Sequence, residues 1–236
     1  MRWMLTDFKR GLAERSFLFA LVLGCLGMLG SLVVYILQNE TYTATEAFKA
    51  SHSLIVPFIA PLLAALPYSN MTMLEEDCGY KKLLMLRNQG RDYTLKRWWV
   101  NNLISGITLL IPSLLLMVAC RSFSSYDSYK MIGEVVVLNF VFGVVYGSLA
   151  YSLTFVNQKR YIPLITPQVL YLLFIYAFPY LNLEKYFPPL AFSPWIMPSV
   201  VEGQLLMMQL GITFAVSCMV ILAGSLYRKG VAKWLQ

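Results

Sequence analysis

Charge is in short supply in this chain. Of its 236 residues only 13% are charged while 58% are hydrophobic, and the mean hydropathy is +0.61. A soluble domain could not keep its surface wet on that composition, so a second apolar medium is required, and lipid supplies one. Histidine is rarer still. His52 stands alone at the start of the second apolar run, where an interfacial polar side chain is the more ordinary reading than a catalytic base. HExxH, GxSxG and GxxxxGK[ST] are missing, and no two aspartates share the apolar runs. These gaps exclude a zinc protease, a nucleophile-elbow hydrolase, a nucleotide site and an intramembrane aspartyl dyad. No arginine series marks a voltage sensor and no TVGYG marks a potassium filter. The apolar runs also lack acids at mid-depth, since Glu134 falls near the outer end of the fourth, which argues against proton or sodium coupling. Cys25, Cys78, Cys120 and Cys218 are scattered without a CxxC and read as small core hydrophobes, not metal ligands. The expectation is a chain that is no enzyme, with no metal or cofactor of its own.

What is abundant is length of apolar sequence. A hydrocarbon core needs about 20 residues of helix. Six stretches reach that length: Phe17 to Leu37, Leu54 to Met73, Trp99 to Ala119, Ile132 to Phe155, Ile162 to Leu181, and Leu205 to Leu226. The chain therefore reads as an all-α polytopic membrane protein, one transmembrane domain over 1–236. Pro57, Pro61 and Pro67 interrupt the second stretch and Pro163 and Pro167 the fifth, so bent helices are expected there. The apolar stretch after Ser16 is too long for a signal peptide and has no small-residue cleavage site, so it is expected to be retained.

Lysine and arginine set the orientation. Segments 1–16, 74–98, 157–161 and 227–236 hold fifteen of them, while the alternate loops hold Lys49, Arg121, Lys130 and Lys185. Positive residues stay on the cytoplasmic side, so both termini are expected in the cytoplasm. The net charge of +7 is thus spent on short loops between apolar runs, and nucleic acid is not an expected partner.

Three segments do not span. In Met1 to Arg15, Met1, Met4, Leu5, Phe8 and Leu12 share one third of a helical wheel, opposite Arg2, Lys9, Arg10 and Glu14. Such a helix is expected to lie flat on the inner leaflet, or else to be a basic flank of the first span. The loop Leu74 to Trp99 opens with Glu75, Glu76 and Asp77, placed by pattern at a helix N-terminus with Lys81, Lys82 and Arg87 toward its end and Gly90 as the stop. Tyr80, Leu83, Leu84 and Leu86 give it an apolar strip, which implies either a partner protein or packing on the chain's own bundle or the headgroups. Asn182 to Gln204 carries Pro188, Pro189, Pro194 and Pro198 among aromatic residues. It reads as a re-entrant hairpin or cap at the outer mouth, or as an interface anchor.

Within the spans, Gly24, Gly27, Gly30 and Ser31, and the GxxxG pair Gly143 and Gly147, permit close helix approach. On the fifth, Tyr161, Leu164, Gln168, Tyr171, Ile175 and Phe178 recur at helical steps. That face could line a pathway, form a subunit seam, or simply pack in the bundle.

With its amphipathic start, its six spans, the EEDCGYKKLL pattern after the second and the proline-aromatic segment before the last, the chain resembles the ABC-2 type permease of bacterial ATP-binding cassette exporters. The stretch Pro57 to Trp99 is especially similar to small bacterial members. The resemblance implies a type V exporter-like architecture in the bacterial cytoplasmic membrane. It implies that Glu75, Glu76 and Gly79 open a coupling helix, with Tyr80 to Arg87, including Leu83, Leu84 and Leu86, seated in a separate ATPase that binds ATP and Mg. Trp3, Met4, Phe8 and Leu12 would belong to an interface helix beside that ATPase. A second permease chain, identical or homologous, would pair through the first and fifth spans around the path. The implied cargo is hydrophobic or amphipathic, antimicrobial peptide export or immunity being one use. The rival reading is a non-transporting scaffold or assembly factor whose spans hold a cytoplasmic docking helix.

Overall fold

A computed structural model describes residues 2–39, 43–67, 71–80, 91–122, 129–156, 159, 161–197 and 203–234, and at 2–3, 72–73, 76, 91–93 and 227–234 the backbone alone. Every regular element among them is helical. In chain order they are α1 (Arg2–Leu12), α2 (Arg15–Gln38), α3 (Ala44–Leu54), α4 (Val56–Ala65), α5 (Met71–Asp77), α6 (Arg91–Arg121), α7 (Tyr129–Val156), α8 (Ile162–Tyr180) and α9 (Gly203–Trp234). Three 3-10 turns, Glu184–Tyr186, Pro188–Ala191 and Pro194–Ile196, lie between α8 and α9. Five helices, α2, α6, α7, α8 and α9, are long and apolar enough to cross a membrane, and α3 with α4 makes a sixth if that bent pair is one span. The protein is a helical membrane protein.

The second apolar stretch is bent as its prolines led one to expect, but with other bounds. Leu54 to Met73 is not one helix: helix begins earlier, at Ala44, breaks at Ile55, and turns by 62° into α4. Thr43 starts α3 with a reciprocal cap, its Oγ1 accepting from the Glu46 N–H while Glu46 Oε2 accepts from the Thr43 N–H. Pro57 falls at the start of α4, where its missing N–H costs nothing. Pro61, inside α4, deprives the Pro57 carbonyl of its helical donor. Tyr171 of α8 replaces it, donating its hydroxyl to Pro57 O at 2.6 Å. Gln168 works at the next rung, where its Nε2 donates to Phe58 O at 2.7 Å and its Oε1 accepts from the Leu62 N–H at 3.0 Å. In lipid, where water cannot satisfy such groups, a neighbouring helix must.

The bundle is built around α7. Of its most apolar window 61% of residues are buried, against 17% for α8 and 22% for α9, which therefore form its periphery. Glycine sets the spacing on α6. A Cβ on Gly143 would sit 2.6 Å from Ser105 O, and one on Gly147 would overlap the Ser105 hydroxyl. That approach lets Asn101 Nδ2 donate to Gly147 O at 2.8 Å and Trp98 Nε1 donate to Ser148 Oγ at 2.8 Å. The GxxxG pair is thus a helix–helix contact of the small-residue kind. On α2, Gly24 faces Pro112 and Gly27 faces Val56, while Gly30 faces open space.

Candidate functional site

Two polar assemblies stand out in this apolar chain, one where α1, α5 and α6 meet and one within the bundle. The first is ionic. Arg97, in the early turns of α6, is completely buried, and its Nη1 lies 2.7 Å from Glu75 Oε2 and 3.8 Å from Asp7 Oδ1. Arg10 Nη1 donates to the other Glu75 oxygen at 2.8 Å. Glu75 is 3% exposed and Asp7 5%, so both carboxylates and Arg97 are buried while Arg10 reaches the set from the solvent side, its side chain 45% exposed. Each arginine takes a different oxygen of Glu75, which spreads its charge over two partners. The set joins three elements: α1 through Asp7 and Arg10, α5 through Glu75, and α6 through Arg97.

Apolar packing reinforces the joint. Phe8 and Leu12 pack against a cluster of Phe17, Met71, Val100 and Ile104. The apolar face of α1 is therefore divided. Phe8 and Leu12 turn to the chain's own helices, Leu5 is 58% exposed and Met4 is half-buried. A helix lying flat with the whole face in lipid is not what forms, because Asp7 draws α1 onto Arg97. The Trp3 side chain lies outside the described residues.

The acidic run also departs from expectation. Glu75 and Asp77 sit in the last turn of α5, not at a helix N-terminus. There the carbonyl end of the helix repels negative charge, and the two arginines offset that repulsion at Glu75. Gly79 follows with φ +69°, a left-handed conformation that glycine adopts without strain and that ends helices, and Tyr80 is helical again and exposed. Glu75 thus closes one helix inside the protein and does not open the next. The Glu76 side chain and Leu83, Leu84, Leu86 and Arg87 lie outside the described residues. Arg91 to Trp98, read above as loop, is the start of α6. Beside the ionic set a cleft of about 450 Å³ is lined by Arg10, Met71, Leu74, Glu75, Cys78 and Tyr80.

The second assembly is within the bundle. His52 is not interfacial: it is fully buried, stacked on Phe48 at 5.5 Å and on Phe192 at 4.8 Å between ring centroids, with Trp195 edge-on at 5.6 Å. Asn139 Nδ2 lies 2.6 Å from His52 Nε2 and donates to Ser113 Oγ at 2.8 Å. Asn139 is ten residues past the start of α7, about 15 Å along its axis. The proline-aromatic segment closes over this region as a cap, with Leu190 and Phe192 buried and Ser193 Oγ 2.8 Å from Ser53 Oγ. It packs on α3, α8 and α9.

The repeating face of α8 is split. Gln168 and Tyr171 are engaged with α4, Ile175 packs on the core, and Tyr161 is 65% exposed. Leu164 is half-buried, and Phe178 stacks on Phe174 at 5.2 Å. Tyr171 and Phe178 line one cavity together between α7, α8 and α9. Sequence reading missed Asp7, Arg97 and Asn139, whose partners are distant in the chain. The available hint was their oddity: an acid in a basic helix, and an arginine and an asparagine at the edge of or within apolar runs.

Comparison with models of known protein families and with curated proteins returned no match. Among the described residues no group of three or more His, Cys, Asp or Glu is placed to hold a metal ion.

Proposed function

We propose that this chain is the transmembrane permease subunit of an ATP-driven exporter of the ABC-2 type, with six crossings and both termini in the cytoplasm of a bacterial cell. The observation that carries this reading is the ionic joint of Asp7, Arg10, Glu75 and Arg97. A permease without an energy source must take work from a partner, and the work must enter through a stiff cytoplasmic element. Here the amphipathic α1, the end of α5 and the base of α6 are tied together, and α6 is meshed with the central α7 at Gly143 and Gly147. A push on segment 81–90 or on α1 is thereby delivered to the core of the bundle. ATP and Mg belong to a separate ATPase, a second permease chain completes the path, and the cargo is hydrophobic or amphipathic. A scaffold would have no need of such a transmission.

Two measurements test the reading. Cys78 is exposed whereas Cys120 is buried and Cys25 and Cys218 are partly covered. With those three replaced by alanine, a membrane-impermeant maleimide should label Cys78 in inverted vesicles and not in intact cells; labelling in intact cells would put the joint on the wrong side. The tagged chain should also co-purify from native membranes with a polypeptide carrying a GxxxxGK[ST] loop, and Leu83→Asp with Leu86→Asp should release it. Retention of that polypeptide by the double variant would reject the docking segment.

A further inference from the structure

A groove of about 700 Å³ opens between the start of α7 and the start of α9, away from the ionic joint. Its volume falls within the roughly 300–1,000 Å³ of sites that hold small organic ligands. Val137, Val141, Leu206 and Met207 make its walls apolar. Gly133 and Gly203 leave room, for a Cβ on either would meet nothing within 4 Å. One acidic side chain lines the groove, Glu134, and no ion pair engages it among the described residues.

The depth of Glu134 matters. At 28 residues α7 is about 42 Å long, against about 30 Å of hydrocarbon, so a centred helix overhangs by about 6 Å at each end. Glu134 is five residues, about 7.5 Å, from the start of α7, which sets its carboxylate at the edge of the hydrocarbon. Below it the groove is apolar, and above it the overhanging turns of α7 extend past the hydrocarbon. An anion is repelled there, a neutral chain gains only apolar contact, and a cation with an apolar tail gains both.

We propose that this groove binds a cationic amphiphile, an ammonium or guanidinium head on a single apolar chain. Glu134 holds the head at the rim, while Val137, Val141, Leu206 and Met207 cover the chain. As a statement about cargo this rests on the exporter reading above; as a binding site it stands on the permease alone.

The test uses the full-length chain in nanodiscs of uncharged phosphatidylcholine. A fluorophore-tagged dodecylammonium is compared with an uncharged dodecyl ester carrying the same fluorophore, and binding is followed by energy transfer from tryptophan. The ammonium probe should saturate and bind more tightly than the ester. Glu134→Gln should weaken the ammonium roughly fivefold, the yield of a partly solvated ion pair, and leave the ester within about twofold. Val137→Phe or Met207→Phe, at positions 60% and 59% exposed where bulk does not disturb the core and no new tryptophan donor is added, should weaken both probes. Equal affinity of the two probes, no change with Glu134→Gln, or signal no greater than in protein-free discs would overturn the proposal. None of these results bears on whether an ATPase co-purifies, so the two readings fail separately.

Discussion

Replacing Glu75 with glutamine removes the carboxylate that both arginines share. Arg97 then remains fully buried, 3.8 Å from Asp7. Breaking a buried pair by deleting one partner costs about 3–5 kcal/mol, because the survivor keeps its charge without its counter-ion. For a chain of this size each kcal/mol corresponds to about 2–4 °C, so the lower bound predicts an apparent Tm lowered by about 6–12 °C. Arg10 is 45% exposed at its side chain, so solvent screens its pair and Arg10→Ala should cost under about 1 kcal/mol. The double variant Glu75→Gln with Arg97→Gln should recover at least half the loss, since Asp7 and Arg10, three residues apart on α1, can then pair with each other. Scanning fluorimetry in one detergent at one scan rate measures the wild type, the single variants Glu75→Gln, Arg97→Gln and Arg10→Ala, and the double variant. Strict additivity in the double variant, or a loss at Glu75 no larger than at Arg10, would refute the claim that these groups act as one unit.

Other outcomes follow from the packing. Gly143→Ala drives a methyl group to 2.6 Å from Ser105 O and should cost about 1–3 kcal/mol, while Gly30→Ala, facing open space, should be neutral or slightly stabilising by the same melting assay. Tyr171→Phe leaves the Pro57 carbonyl without a donor and should cost about 1–3 kcal/mol, visible as faster proteolysis of the 43–67 region. Asn139→Leu strands His52 and should cost about 0.6–1.7 kcal/mol, the range for hydrogen bonds between membrane helices. Adding His52→Phe, which keeps the stack on Phe48 and Phe192, should restore most of that stability; a further loss would show that His52 matters beyond this bond.

The long apolar helices were legible from the sequence because lipid leaves so few alternatives: α2, α7 and α8 fall within a few residues of the stretches read from hydropathy, while α6 begins eight residues earlier and α9 runs eight residues further, both through polar sequence. The bend in the second stretch was legible from its prolines, but its bounds were not, because hydropathy averages over a window and places neither the start at Ala44 nor the break at Ile55. His52 was placed by its nearness to the edge of an apolar run, whereas the ring stack that buries it comes from Phe192, distant in sequence. Glu75 shows the same limit. Its acidic neighbours suggested a helix start, but Arg10 and Arg97, 65 residues before it and 22 after it in number, decide where its charge is satisfied. Local pattern reports periodicity and length; it does not report which distant partner neutralises a group.

The splint that α8 applies to α4 limits how the bundle can move. Drawing the two helices apart would strand the Pro57 and Phe58 carbonyls and the Leu62 amide in hydrocarbon, so α4 and α8 must swing as a single block. Compliance is left to Ile55, the single residue between α3 and α4, which is 45% exposed and whose carbonyl accepts from the Phe58 N–H of its own turn at 3.2 Å instead of from α8. Any cycle of opening and closing in this half of the protein would pivot at that elbow, and its amplitude would be set by how far one block can tilt before the cap at Ser193 loses its grip on Ser53.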